Sequence, residues 1–154
     1  MESLLELEKK DHVLRVTLNR PGRRNALSTP ICEGLLALPA QVEADMEIRC
    51  VVVTGAGEGF CSGADLKERR ELDEEGRWRY VELVDRALLA IEAIPVPTVA
   101  AVNGHALGGG TELAMGCDFR IAVASANFGL TETGIGIIPT GSIVRLLRDG
   151  YDSL

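Results

Sequence analysis

Three consecutive glycines, Gly108, Gly109 and Gly110, stand just ahead of Glu112 in the stretch GHALGGGTEL, residues 104–113. Free N–H groups at a helix start, together with the helix dipole, favour a developing negative charge. Glycine lets a ligand approach that backbone with no side chain in the way. Glu112 would then fall in the first helical turn, facing whatever those amides hold. An oxyanion held by fixed backbone donors, with a carboxylate beside it, is a way to run enolate or acyl chemistry. The same residues also suit a tight strand-to-helix turn in which Glu112 is simply favourable at a helix N-terminus.

Two further segments carry matching chemistry. In CSGADLKE, Ala64 is a small residue between Gly63 and Asp65, and its N–H can complete a two-donor hole, although the segment also reads as an ordinary loop. In NFGLTETGIGIIP, Glu132 sits among Phe128, Leu130, Ile135, Ile137 and Ile138. A carboxyl in apolar surroundings holds its proton to higher pH and can deliver it; the other reading is a solvated glutamate opening a short helix. Two glutamates near glycine-built loops point to paired acid/base work on a bound water. Cys61 with His105 as base would be a different, nucleophilic chemistry. A small buried thiol beside a loop histidine is the simpler reading of that pair.

These residues need a scaffold. HVLRVTLNR alternates, with Leu14, Val16 and Leu18 on one face of a strand. RPGRRN breaks it as a loop, and Ser28 is expected to cap a helix with Pro30 in its first turn, running to about Asp45. CVVVTGAG reads as a buried parallel strand. Val81, Val84, Leu88 and Ile91 have helical spacing, and Pro95 and Pro97 end that helix. TVAAVNG reads as a second buried strand, TELAMGC as a helix start and DFRIAVA as a third inner strand. Alternating strands and helices imply an α/β layered domain with right-handed crossovers. Ligands gather at the carboxyl ends of such strands, which is where the glycine loops after Val53 and Val102 fall.

Composition narrows the classes. Hydrophobic residues are 46% and charged residues 25% of 154, enough for one domain with a core. A net charge of −7 argues against a general nucleic-acid or anionic-membrane binder, although Arg20, Arg23 and Arg24 can form a local basic patch beside an anionic ligand. Cys32, Cys50, Cys61 and Cys117 show no CxxC and no zinc spacing, so no metal site is expected. No signal peptide is read in MESLLELEKKDHV and no membrane span along the chain, which points to a reduced, cytoplasmic, soluble protein. GAGEGF has Phe60 where a dinucleotide fingerprint needs its last glycine. Trp78 and Tyr80 read as packing residues, and His12 as the start of a strand.

NRPGRRNALS, VVVTGAGEGFCSGADLKE, PVPTVAAVNGHALGGGTELAMGCDFRIA and FGLTETGIGIIP, in that order, together resemble the enoyl-CoA hydratase/isomerase (crotonase) family over roughly residues 12 to 141. The resemblance implies one crotonase-like core domain over residues 1–154, an α/β spiral of ββα units, and an acyl-CoA thioester ligand. It implies that the Ala64 and Gly109 amides form the oxyanion hole, that Ala64, Asp65, Leu66 and Lys67 with Gly109 bind the substrate, and that Glu112 and Glu132 are the catalytic acids. Having both glutamates favours syn hydration of a 2-enoyl-CoA to a 3-hydroxyacyl-CoA, as in fatty acid metabolism. No cofactor is expected, coenzyme A being part of the substrate, and a homotrimer or dimer of trimers is the expected assembly. An isomerase of the same fold, and a non-catalytic acyl-CoA-binding or assembly module or inactive fragment, are the alternatives. After Pro139 the sequence leaves the family pattern. TGSIVRLLRDGYDSL supplies at most one short amphipathic helix, so the family's C-terminal helical region is expected to be missing.

Overall fold

The computed structural model describes residues 3–136; the departure after Pro139 lies outside them. A five-stranded sheet in the order β1-β2-β3-β4-β6 forms the base, from β1 (Leu5–Lys10), β2 (Val13–Leu18), β3 (Cys50–Gly55), β4 (Thr98–Val102) and β6 (Phe119–Ala122). β1 and β2 make an antiparallel hairpin, and the remaining neighbours are parallel. In register, Val16 faces Val53 and Val53 faces Ala100. One sheet face therefore carries Val16, Val53 and Ala100, all buried.

Two helices cover that face. α1 (Thr29–Ala44) buries Ile31, Cys32, Leu35, Leu38 and Val42, and α3 (Glu74–Glu92) buries Tyr80, Val84, Ala87, Leu88, Ala90 and Ile91. The spacing is the three-and-four pattern of an amphipathic helix laid on a core. Each fully buried Leu or Ile contributes roughly 1.5–3 kcal/mol. These side chains join Leu14, Val51 and Val102 in one cluster. The strands read as buried from sequence, β3 and β4, lie at the centre of the sheet beside β2, whose buried and exposed residues alternate as read.

Three expectations are corrected. β6, read as a third inner strand, is the end strand of the order among the described residues, and all four of its residues are exposed. Trp78, read as packing, is 71% exposed. Ser28 occupies the N-cap of α1 but its side chain makes no capping bond. The Glu68 carboxylate of α2 (Leu66–Glu71) takes that role, accepting from the Thr29 amide at 3.2 Å. β1 was not foreseen, because its charged, exposed LELEKK shows little apolar alternation.

A smaller layer lies at the carboxyl ends of β3 and β4. β5 (Ala106–Leu107) pairs in parallel with β7 (Phe128–Gly129), Cys61 bridges Ala106, and Ala64 bridges Leu27. Segments from four parts of the chain thus run side by side, and α4 (Gly109–Gly116) starts directly from this layer. Among the described residues no helix is long and apolar enough to cross a membrane.

Candidate active site

Two asparagines tie the glycine loops to the sheet. Asn25, fully buried with φ 55°, donates to Ala56 O at 2.9 Å and Gly59 O at 2.8 Å. Asn103 donates to Gly55 O and Gly57 O, both at 2.9 Å. The loops after β3 and β4 then zip together: the Cys61 amide donates to His105 O at 3.1 Å and the Leu107 amide to Cys61 O at 2.9 Å. β3 and β4 are neighbours, which the sequence alone could not establish, and that brings both loops to one place.

Within that clasp the Ala64 and Gly109 amides come close. A Cβ built on Gly63, whose φ is +84°, would lie 3.0 Å from Gly109 N, and one built on Gly109 would lie 3.8 Å from Ala64 N. The Leu27 bridge uses the Gly63 carbonyl and the Asp65 amide, so Ala64 N–H is turned from that partner. Gly109 is the first residue of α4, where an N–H has no intrahelical acceptor. Two backbone donors beside a helix N-terminus suit an oxyanion.

Both glutamates reach this spot. Glu112 lies buried in the first turn of α4. Glu132 opens a 3₁₀ turn after β7, and its Oε1 lies 2.7 Å from where a Cβ on Gly108 would stand. Gly108 has φ +53°, so only glycine fits both the backbone and the carboxylate. Glu132 Oε2 is buried with no hydrogen-bond partner among the described residues. Burial first, and then the charge of Glu112, push the Glu132 carboxyl above its ordinary value, against a lowering backbone hydrogen bond. A carboxyl raised in this way keeps its proton to higher pH.

The substrate-binding stretch 64–67 is held from behind. Burial alone would raise the Asp65 carboxyl, but a 2.5 Å pair with Arg20 and the amides of Glu68 and Lys67 outweigh it and hold it below its ordinary value. That carboxylate is committed to the fold, while Leu66 and Lys67 are exposed. Tyr80, buried on α3, donates its hydroxyl to Leu27 O and accepts from the Asp65 amide at 2.7 Å. Tyr80, Asn25 and the Arg20–Asp65 pair position the site and were missed in the sequence. Their only signal was polar residue type, since their partners are distant in the chain.

A groove of about 680 Å³ opens alongside, lined by Pro21, Arg24, Ser62, His105 and Leu107 among others. It reaches the chain neighbours of Gly63 and Gly108 rather than the glutamates themselves. Arg24 therefore faces a cavity, whereas Arg20 is spent on Asp65. Cys61 is no nucleophile: burial pushes its thiol up to about 12, and the His105 ring nitrogen meets Asn127 at 3.2 Å. His12 bonds Glu47 O at 2.9 Å, away from the site. Among the described residues no group of His, Cys, Asp and Glu is arranged to hold a metal ion.

A model of the enoyl-CoA hydratase/isomerase family matches residues 8–149. The enoyl-CoA hydratase/isomerase YngF of Bacillus subtilis is 47% identical, over 96% of this chain and 57% of YngF. The short-chain-enoyl-CoA hydratase of Clostridium acetobutylicum is 43% identical, over 92% of this chain and 55% of that protein. A crystal structure of enoyl-CoA hydratase from Bacillus anthracis superposes with a TM-score of 0.90 at 44% identity, over 94% of this chain and 57% of that one. The chain thus spans little more than half the length of these relatives, and within that span its α/β architecture is the crotonase fold. By the family match and these identities, the chain belongs to the enoyl-CoA hydratase/isomerase family.

Proposed function

We propose that the protein hydrates a 2-enoyl-CoA to the 3-hydroxyacyl-CoA by syn addition. The observation that carries this reading is the second carboxyl: Glu132, with a raised pKa, is turned onto Gly108 within the electrostatic reach of Glu112. The thioester oxygen lies between the Ala64 and Gly109 amides. Glu112 and Glu132 hold a water, and Glu112 takes its proton as the oxygen bonds to the β-carbon. The electron pair of the double bond moves into the thioester, where the two amides stabilise the enolate oxygen. Glu132 gives its proton to the α-carbon, and the proton on Glu112 restores Glu132, so that the sum is one water added. Ala64, Asp65, Leu66, Lys67 and Gly109 form the substrate-binding stretch, with the Asp65 side chain acting through its hold on the loop. The scheme asks for no metal or redox cofactor, and coenzyme A arrives with the substrate. A cytoplasmic homotrimer or dimer of trimers belongs to the same reading.

One alternative is a non-catalytic acyl-CoA-binding or assembly module. An isomerase of the same fold is the other. Separate incubations of crotonyl-CoA and of a 3-enoyl-CoA in ¹⁸O water, with product analysis by mass spectrometry, separate all three. Hydration puts one labelled oxygen on the acyl group. Conversion of a 3-enoyl-CoA without label would establish the isomerase, and unchanged thioester that still binds would establish the module.

A further inference from the structure

A second cavity, of about 290 Å³, is lined by Leu66, Arg69, Arg70 and Arg77. Arg77 comes from α3 and reaches the end of α2, its guanidinium donating to Arg69 O at 3.3 Å and Arg70 O at 3.5 Å. Among the described residues none of these three arginines forms a salt bridge. Acid is not scarce: the chain has 23 acidic residues and a net charge of −7. Of the acids on α2 and at the start of α3, Asp65 pairs with Arg20, Glu68 with the Thr29 amide and Glu75 with Arg79, and among the described residues Glu71 and Glu74 form no ion pair with these arginines. Three cations held around one small cavity repel each other, and an anion placed there relieves that cost.

We propose that this pocket binds a carboxylate at the far end of the acyl group, so that the preferred substrates are thioesters of short dicarboxylic acids. The assignment rests on the acyl-CoA reading above. Ser62, two residues before Ala64, lines the 680 Å³ groove, and Leu66, two residues after it, lines the 290 Å³ pocket. A thioester oxygen at Ala64 and Gly109 sends coenzyme A one way and the acyl chain the other. Coenzyme A, a nucleotide with a long pantetheine arm, matches the larger space. The smaller space then takes the acyl chain, with Leu66 against its carbons and the arginines at its end. Arg69 lies five positions beyond Ala64 and three helical steps past Leu66, about 4.5 Å of rise, which suits a carboxylate only a few carbons from the thioester. Arginine's planar fork is suited to binding a carboxylate through two parallel hydrogen bonds.

Calorimetry with saturated thioesters, which cannot be hydrated, tests this. Glutaryl-CoA carries the extra carboxylate, butyryl-CoA lacks it, and free coenzyme A reports the nucleotide arm. Glutaryl-CoA is expected to bind about tenfold tighter than butyryl-CoA, the scale of one charge-assisted contact. Arg69→Gln and Arg70→Gln should each erode that preference while leaving butyryl-CoA and coenzyme A unchanged, which also shows that the variants are folded. Equal binding of the two thioesters by the wild type would overturn the assignment alone. So would variants that weaken all three ligands alike, since the arginines would then serve the phosphates. Failure of all three to bind would remove the acyl-CoA reading, and the assignment with it.

Discussion

At the scale of single residues, the site depends on Gly108 as much as on the glutamates. Its φ of +53° and the carboxylate 2.7 Å from any added Cβ leave no room for a side chain. Gly108→Ala should cost about 1–3 kcal/mol in backbone strain, seen as a lower urea midpoint, and should displace Glu132 with loss of turnover. Glu132 also gives a pH signature. Its folded carboxyl is raised above 4.5, so the folded state binds that proton more tightly than the unfolded chain. The stability it contributes is full below 4.5 and is lost as pH rises through the shifted value. Glu132→Gln removes this loss. The difference in urea midpoint between variant and wild type should therefore move in the variant's favour as pH rises from the acid side. A difference that stays flat with pH would mean that the carboxyl is not shifted.

At the scale of elements, the glycine loops and both glutamates could be found in the sequence because each functions within a few residues of its own backbone. The supports could not. Arg20 finds Asp65 45 residues on, Thr29 is capped by Glu68 39 residues away, and Tyr80 bonds a carbonyl 53 residues back. Nothing local marks such pairs. Residue type alone also misled at Ser28, a favoured cap whose buried hydroxyl has no partner among the described residues. Ser28→Ala should thus leave the urea midpoint nearly unchanged, whereas Glu68→Ala should cost about 1 kcal/mol through the lost cap. Tyr80→Phe leaves the Leu27 carbonyl and the Asp65 amide only their mutual 3.3 Å bond, at a cost of about 1 kcal/mol. Because those two groups flank Ala64 through the loop, the same change should weaken thioester binding.

At the scale of the whole molecule, the sheet was readable at its centre and misread at its edge. Apolar composition marks β6 as inner, yet Phe119 is 61% and Ile121 68% exposed, with Val123, just past the strand, at 46%. An exposed apolar strand edge favours pairing with another chain. Sedimentation velocity should show association that rises with concentration and is reduced in Ile121→Lys. The most direct test of the central claim is the decay of the conjugated thioester's ultraviolet absorbance when crotonyl-CoA is mixed with wild type, Glu112→Gln and Glu132→Gln. Paired glutamates acting on one water predict hydration by the wild type and a loss of about 10²-fold or more in each variant. Full activity in either variant, or an unchanged absorbance with the wild type, would contradict it.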